Sequence, residues 1–235
     1  MFSEADIAAI FLTLKLATVV TIILFLVSTP IAWWLAFSQS RWRTIVNAMI
    51  ALPLILPPTV LGFYLLLAMG NEGWLGQLYS EVFGSSLIFS FSGLVVASVF
   101  YSLPFVVQPL QNAFKAIERE QLDLAATMGA GPADRFFSVA LPQAKNGFLA
   151  AGILGFAHTV GEFGVVLMIG GNIPGATKVI SIQIYEHVEL LNYSQAHILS
   201  ACLLAFSFIT LFILYWVSDS ASFIRSSSRV RLHDE

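Results

Sequence analysis

Five apolar runs dominate this chain, at 16–37, 45–69, 87–109, 147–170 and 198–217. Each is long enough for an α-helix to cross a hydrocarbon core, which takes about 20 residues. With 57% hydrophobic and 11% charged residues, the 235-residue chain lies outside the composition of soluble globular domains. The runs predict an all-α integral membrane protein with about five transmembrane helices, and no linker divides 1–235 into more than one membrane domain. The single cysteine, Cys202, falls inside the last run, so no intramolecular disulfide can form. The first run follows Glu4 and Asp6, lacks a basic leader and exceeds a signal-peptide core, so it is predicted to stay uncleaved. Before it, Ile7, Ile10, Phe11 and Leu14 recur at helical spacing and predict an interfacial extension, with Lys15 reaching headgroups.

The basic residues set the orientation. Arg41, Arg43, Lys115, Arg119, Arg135, Lys145, Arg225, Arg229 and Arg231 fall on one side of a five-span arrangement, leaving only Lys15 and Lys178 near the other. The positive-inside rule then places the N-terminus outside and the C-terminus in the cytoplasm, together with the 113–146 segment. Trp42, Trp74 and Trp216 stand near span ends as interfacial anchors. On the outer face, Leu75, Leu78, Tyr79, Val82 and Phe83 form one amphipathic stripe, and Ile180, Ile184, Val188 and Leu191 form another. Each predicts a short helix at the surface, set against lipid or against an external docking protein.

The 113–146 segment is soluble-looking between two spans. Ile117, Gln121, Leu122, Ala125 and Met128 share one helical face, with Glu118, Arg119 and Glu120 on its wetter sides. Gly129-Ala-Gly131 breaks that helix, and Pro132 with Asp134 suits the start of a second one. Phe136, Phe137, Ala140 and Leu141 follow before Pro142, where the chain is expected to change direction. The outcome is a helix–turn–helix elbow with an exposed apolar tip, which either lies on lipid or docks another protein.

Inside the spans, His158 and Glu162 are the ionisable residues, four apart and predicted to share a helical face. They are either a packing hydrogen-bond pair or a functional pair such as a proton relay. No third ligand accompanies them, so no metal site is expected. Gly147, Ala151 and Gly155, then Ala157 and Gly161, recur every fourth residue and predict close packing in the most central helix. Pro30, Pro53, Pro57, Pro58, Pro104 and Pro109 are expected to bend or break their helices. Leu56-Pro-Pro-Thr-Val-Leu-Gly62 is the most marked case, either a static kink or an irregular stretch lining a pathway with Thr59. Pro57, Pro58, Thr59, His158, Gly161 and Glu162 are therefore the candidate pathway or gating residues.

No Walker A sequence, HExxH or nucleophile elbow occurs, so no catalytic residue and no cofactor bound by this chain is expected. A transporter of this kind needs a separate engine. In the soluble segment, Asp123-Leu-Ala-Ala-Thr-Met-Gly129 is followed by nine residues and then Val139-Ala-Leu-Pro142. This resembles the cytoplasmic loop of ABC importer permeases, written E-A-A, three residues, G, nine residues, I, any residue, L-P. The spacing matches throughout, with Asp123, Leu124 and Val139 replacing Glu, Ala and Ile. The Leu52–Leu67 region around Leu56-Pro-Pro, with Gly161-Glu-Phe-Gly164 and Gly171-Asn-Ile-Pro-Gly175, is similar to the permease subunits of bacterial molybdate ABC transporters, and the resemblance runs from about residue 7 to 217.

That resemblance implies a homodimer in the bacterial inner membrane, two cytoplasmic ABC ATPase subunits that bind ATP and Mg, and a periplasmic oxyanion-binding protein. It implies that Asp123, Ala125, Gly129, Gly131, Phe136, Phe137, Leu141 and Pro142 form the ATPase-coupling loop. Sulfate or tungstate are alternative cargoes. The rivals from other classes are a proton-coupled carrier using His158 and Glu162, and a membrane scaffold whose loop binds lipid. Membrane lipid is a partner on every reading, and nucleic acid on none.

Overall fold

The computed structural model describes residues 2–230, with side chains to residue 216. The side chains of Arg225 and Arg229, and all of Arg231, lie outside the described residues. No strand occurs among the described residues.

Helix α1 (Glu4–Phe37) begins at a capping box, in which Ser3 Oγ accepts the Asp6 N–H at 3.1 Å and the Asp6 carboxylate accepts the Ser3 N–H at 2.9 Å. At 1.5 Å per residue it is about 50 Å long, against roughly 30 Å of hydrocarbon, so it is longer than a span requires. The predicted interfacial extension is thus continuous with the first span in one unbroken helix. Helix α5 (Phe91–Lys115) is the second continuous span and α11 (Tyr193–Val230) the third. The third run was expected at 87–109, but Ser90 caps the helix start by accepting the Gly93 N–H, and the helix continues through Pro109 to Lys115.

The other two runs are broken. Helices α2 (Trp42–Ile55) and α3 (Pro58–Met69) meet at 114°, and the helix from Pro132 to Val160 meets α9 (Gly164–Gly170) at 59°. Three helices are long and apolar enough to cross a membrane, or up to five if each bent pair is one span. Of the prolines, only Pro57 and Pro58 end a helix; Pro30, Pro53, Pro104 and Pro109 lie within α1, α2 and α5 without interrupting them. A lone proline removes one hydrogen bond, which packing in a bundle offsets, whereas two in succession remove adjacent bonds and hold Leu56 extended.

The centre of the bundle is α5, a correction to the expectation for the fourth run. It packs against α1, α2, α3, α9 and α8 (Leu141–Val160), and buries Leu94, Ala97, Val106, Val107, Leu110 and Phe114. The small residues of α8 permit that contact. A Cβ on Gly147 would lie 2.2 Å from Ala113 Cβ, and one on Gly155 would lie 2.5 Å from Val106 Cγ2.

Two further short helices lie between the spans, α4 (Trp74–Phe83) and α10 (Ile180–Glu189). Helix α4 exposes Leu78, Val82 and Phe83 of its stripe, as well as Trp74, while Leu75 and Tyr79 are half-buried against the core. Helix α10 departs from expectation. It buries Ile180, Ile182, Gln183 and His187 and exposes Val188 and Leu191, because polar partners on α1 select its inward face.

Candidate functional site

The elbow between α5 and α8 starts with α6 (Arg119–Thr127). Its end is a Schellman motif: the Ala130 N–H donates to Ala125 O and the Gly129 N–H to Ala126 O, both at 3.0 Å. Gly129 sits at φ +94°, where a side chain would be strained although the surrounding space is open. After Gly131, Pro132 opens the short helix α7 (Pro132–Asp134), which runs through a π-helical turn (Arg135–Ala140) directly into α8. Pro142 therefore does not redirect the chain. The π turn, closed by the Leu141 N–H donating to Phe136 O, carries the extra residue that accommodates the ring at the start of α8.

The face of α6 is narrower than its spacing suggests. Leu122 is buried and Ala125 half-buried, with Ile117 buried just before the helix, while Gln121 and Met128 are exposed. Gln121 instead accepts from Gln143 Nε2 at 2.7 Å and ties α6 to α8. Phe136 packs edge-on against Trp33 of α1, with centroids 5.3 Å apart, and Trp33 meets Phe114 of α5 at 5.2 Å. Arg119 Nη2 donates to Phe37 O at 3.1 Å. Pointing away from this mount are Leu124, Met128 and Phe137, which are 63, 81 and 63% exposed. Asp123, Gly131 and Pro142 are also exposed, and Leu141 is half-buried. Trp33 carried no sequence signal because it sits in an apolar run, and Phe114 none because it lies before the helical face that begins at Ile117.

The pathway candidates converge where the two broken spans meet. Helices α3 and α9 pack together, and a Cβ on Gly164 would lie 2.8 Å from Pro58 Cβ. The break at Pro57 and Pro58 thus abuts the break that holds Gly161 and Glu162, with Thr59 exposed beside it. His158 and Glu162 do not share a helical face. Helix α8 ends at Val160, Gly161 caps it, and Glu162 lies in the bend. His158 Nδ1 is 2.9 Å from Ser102 Oγ, and its ring stacks on Phe105 at 3.8 Å. The Glu162 carboxylate is buried near Ser98, and neither oxygen has a hydrogen-bond partner among the described residues.

A third cluster lies at the N-terminal end of α1, and sequence reading missed it. Asp6 Oδ1 accepts from Gln183 Nε2 at 3.0 Å and lies 2.9 Å from His187 Nε2. The Ile180 N–H donates to Thr13 Oγ1 at 2.8 Å. Lys178 forms an ion pair with Glu186, which also accepts from Asn172 at 3.3 Å, and the Thr177 hydroxyl donates to Gly170 O at 2.6 Å. The Lys178 ammonium holds the Glu186 carboxyl below the usual carboxylate range. The available signal was the i, i+4 spacing of Gln183 and His187 on α10.

A helical bundle with a docking-shaped elbow matches one family in particular. Residues 28–222 match the family described as binding-protein-dependent transport system inner membrane component. The chain belongs to that family. This membrane component is 60% identical over 213 residues to the molybdenum transport system permease protein ModB of Azotobacter vinelandii, covering 91% of this chain and 94% of that one. It is 36% identical over 186 residues to the sulfate transport system permease protein CysT of Synechocystis sp., covering 79% of this chain and 65% of that one. Its fold matches an inward-facing structure of the MetNI methionine ABC transporter with TM-score 0.70 and 18% identity, over 92% of this chain and 99% of that chain.

Proposed function

We propose that this chain is the membrane-spanning permease of an ATP-driven importer of molybdate. The observation that carries the cargo is the 60% identity with a molybdenum transport permease across 91% of the chain. Two copies form the pathway in the bacterial inner membrane, N-terminus outside and C-terminus in the cytoplasm. Two ATPase subunits, which hold ATP and Mg, dock on the elbow from Glu118 to Pro142, and an external binding protein delivers the oxyanion. The exposed apolar tip of Leu124, Met128 and Phe137 supports docking, because it stands on a mount fixed to α1 and α5 through Trp33 and Phe114. Closure of the ATPases would thereby turn α8 and shift the bend at Glu162 against Pro58.

A proton-coupled carrier is disfavoured by the bonding of His158, which turns to Ser102. The test is uptake of radiolabelled molybdate by vesicles holding the permease, its ATPase and its binding protein. Uptake should require internal ATP and persist when a proton gradient is collapsed. Competition by tungstate and sulfate ranks the cargoes, and uptake of sulfate with molybdate excluded would overturn the assignment.

A further inference from the structure

At the C-terminal end of α1 the elbow forms a half-open cavity of about 310 Å³, walled by Trp33, Phe37, Arg119, Leu122, Asp123 and Arg135. Neither arginine forms an ion pair among the described residues, and neither does Asp123. Arg135 Nε is buried with no acceptor among the described residues, which leaves this guanidinium under-satisfied within the bundle. Arg119 uses Nη2 on the Phe37 carbonyl and has further donors to offer.

Charge and position together define what fits. Two guanidinium groups and one carboxylate sum to +1, which matches a singly charged phosphodiester better than a doubly charged free oxyanion. The cavity lies at the last turn of a membrane span, between an aromatic wall and a basic one, where lipid headgroups meet protein. We infer that this cavity binds the phosphodiester headgroup of a membrane lipid through Arg119 and Arg135. The inference rests on the cytoplasmic placement of the 113–146 segment and is independent of the transported species. A lipid seated there bridges α1, α6 and the π turn, so the membrane itself becomes part of the elbow's mount.

The experiment is native mass spectrometry of the delipidated permease–ATPase complex, titrated with phosphatidylglycerol. Wild-type complex should retain one lipid per permease about tenfold more tightly than Arg135→Gln or Arg119→Gln, with Arg135→Lys between them. Lys145→Gln, outside the cavity, should match wild type. Equal retention by wild type and both glutamine variants would overturn the inference. So would saturation of the site by inorganic phosphate alone with no preference for lipid, or loss of the ATPase subunits from Arg135→Gln with lipid retention unchanged, which would give the cavity to an acidic side chain of the ATPase. Lipid retention is read without molybdate, so a wrong cargo assignment leaves the result intact.

Discussion

The end of the bundle at the α1 N-terminus is bonded, whereas the elbow is packed. There, α10 and the loop before it are held to α1 and α9 by the Asp6, Gln183 and His187 cluster and by Thr13 and Thr177, and to each other by the Lys178–Glu186 pair. At the elbow, the main link to the spans is three aromatic rings, Trp33, Phe114 and Phe136, aided by side-chain bonds at Gln121 and Arg119. Hydrogen bonds weaken steeply when misaligned, while apolar contact is non-directional. A lid held by bonds keeps one geometry, and a lever held by rings can turn without losing its seat. That contrast suits a machine driven from below.

The largest stability effect is expected from the Asp6 cluster. His187→Leu leaves the buried Asp6 without one of its bonds and should cost about 2–3 kcal/mol, seen as earlier thermal unfolding in detergent. It should leave ATPase recruitment unchanged; loss of recruitment would erase the distinction between the two ends. Phe136→Ala removes a half-buried ring and should cost about 2 kcal/mol, with the reverse signature of weak coupling in a folded protein. If it unfolded the protein more readily than His187→Leu, the elbow would be the rigid end.

Between the two ends, Glu162→Gln keeps the shape of the side chain in the bend and removes its charge. Uptake should fall by about fivefold, equivalent to ~1 kcal/mol, at normal protein levels. Unchanged uptake would remove Glu162 from the pathway. The smallest effect concerns Glu186, whose carboxyl is held below its usual range by Lys178. A group with a lowered folded pKa stabilises above its unfolded value, and that contribution is lost as pH falls through the folded value. Thermal stability should therefore decline modestly as pH drops below the carboxylate range, and Glu186→Gln should flatten that decline.

The elements legible in the sequence are those set by local chemistry. The spans of α1, α5 and α11 follow from apolar length, and the turn at Gly129 from the glycine pair. The proline pair announced the break after Leu56, though not its 114° angle, which depends on α3 packing against α9. Three readings failed for physical reasons. Pro142 does not turn the chain, because it sits in the first turn of α8 after a π turn, and a π turn has no residue signature. Glu162 does not share the face of His158 because Gly161 caps α8 inside an apolar run that continues to residue 170, so the helix end leaves no mark in hydropathy. The aliphatic stripe around α10 predicts a surface helix, but Asp6, more than 170 residues away in the chain, draws the Gln183 and His187 face inward and Ile180 with it.

The central claim is that the elbow transmits ATPase closure to the spans, and Gly129 tests it most directly. At φ +94°, Gly129→Val places a β-branched side chain in a strained backbone, at a cost of about 1–3 kcal/mol, without a clash in the open space around it. In vesicles holding the permease, its ATPase and its binding protein, the variant should insert normally. Molybdate uptake should be lost, together with either ATPase recruitment or the stimulation of ATP hydrolysis by loaded binding protein. Normal uptake with normal stimulated hydrolysis in the Gly129→Val complex would contradict the account.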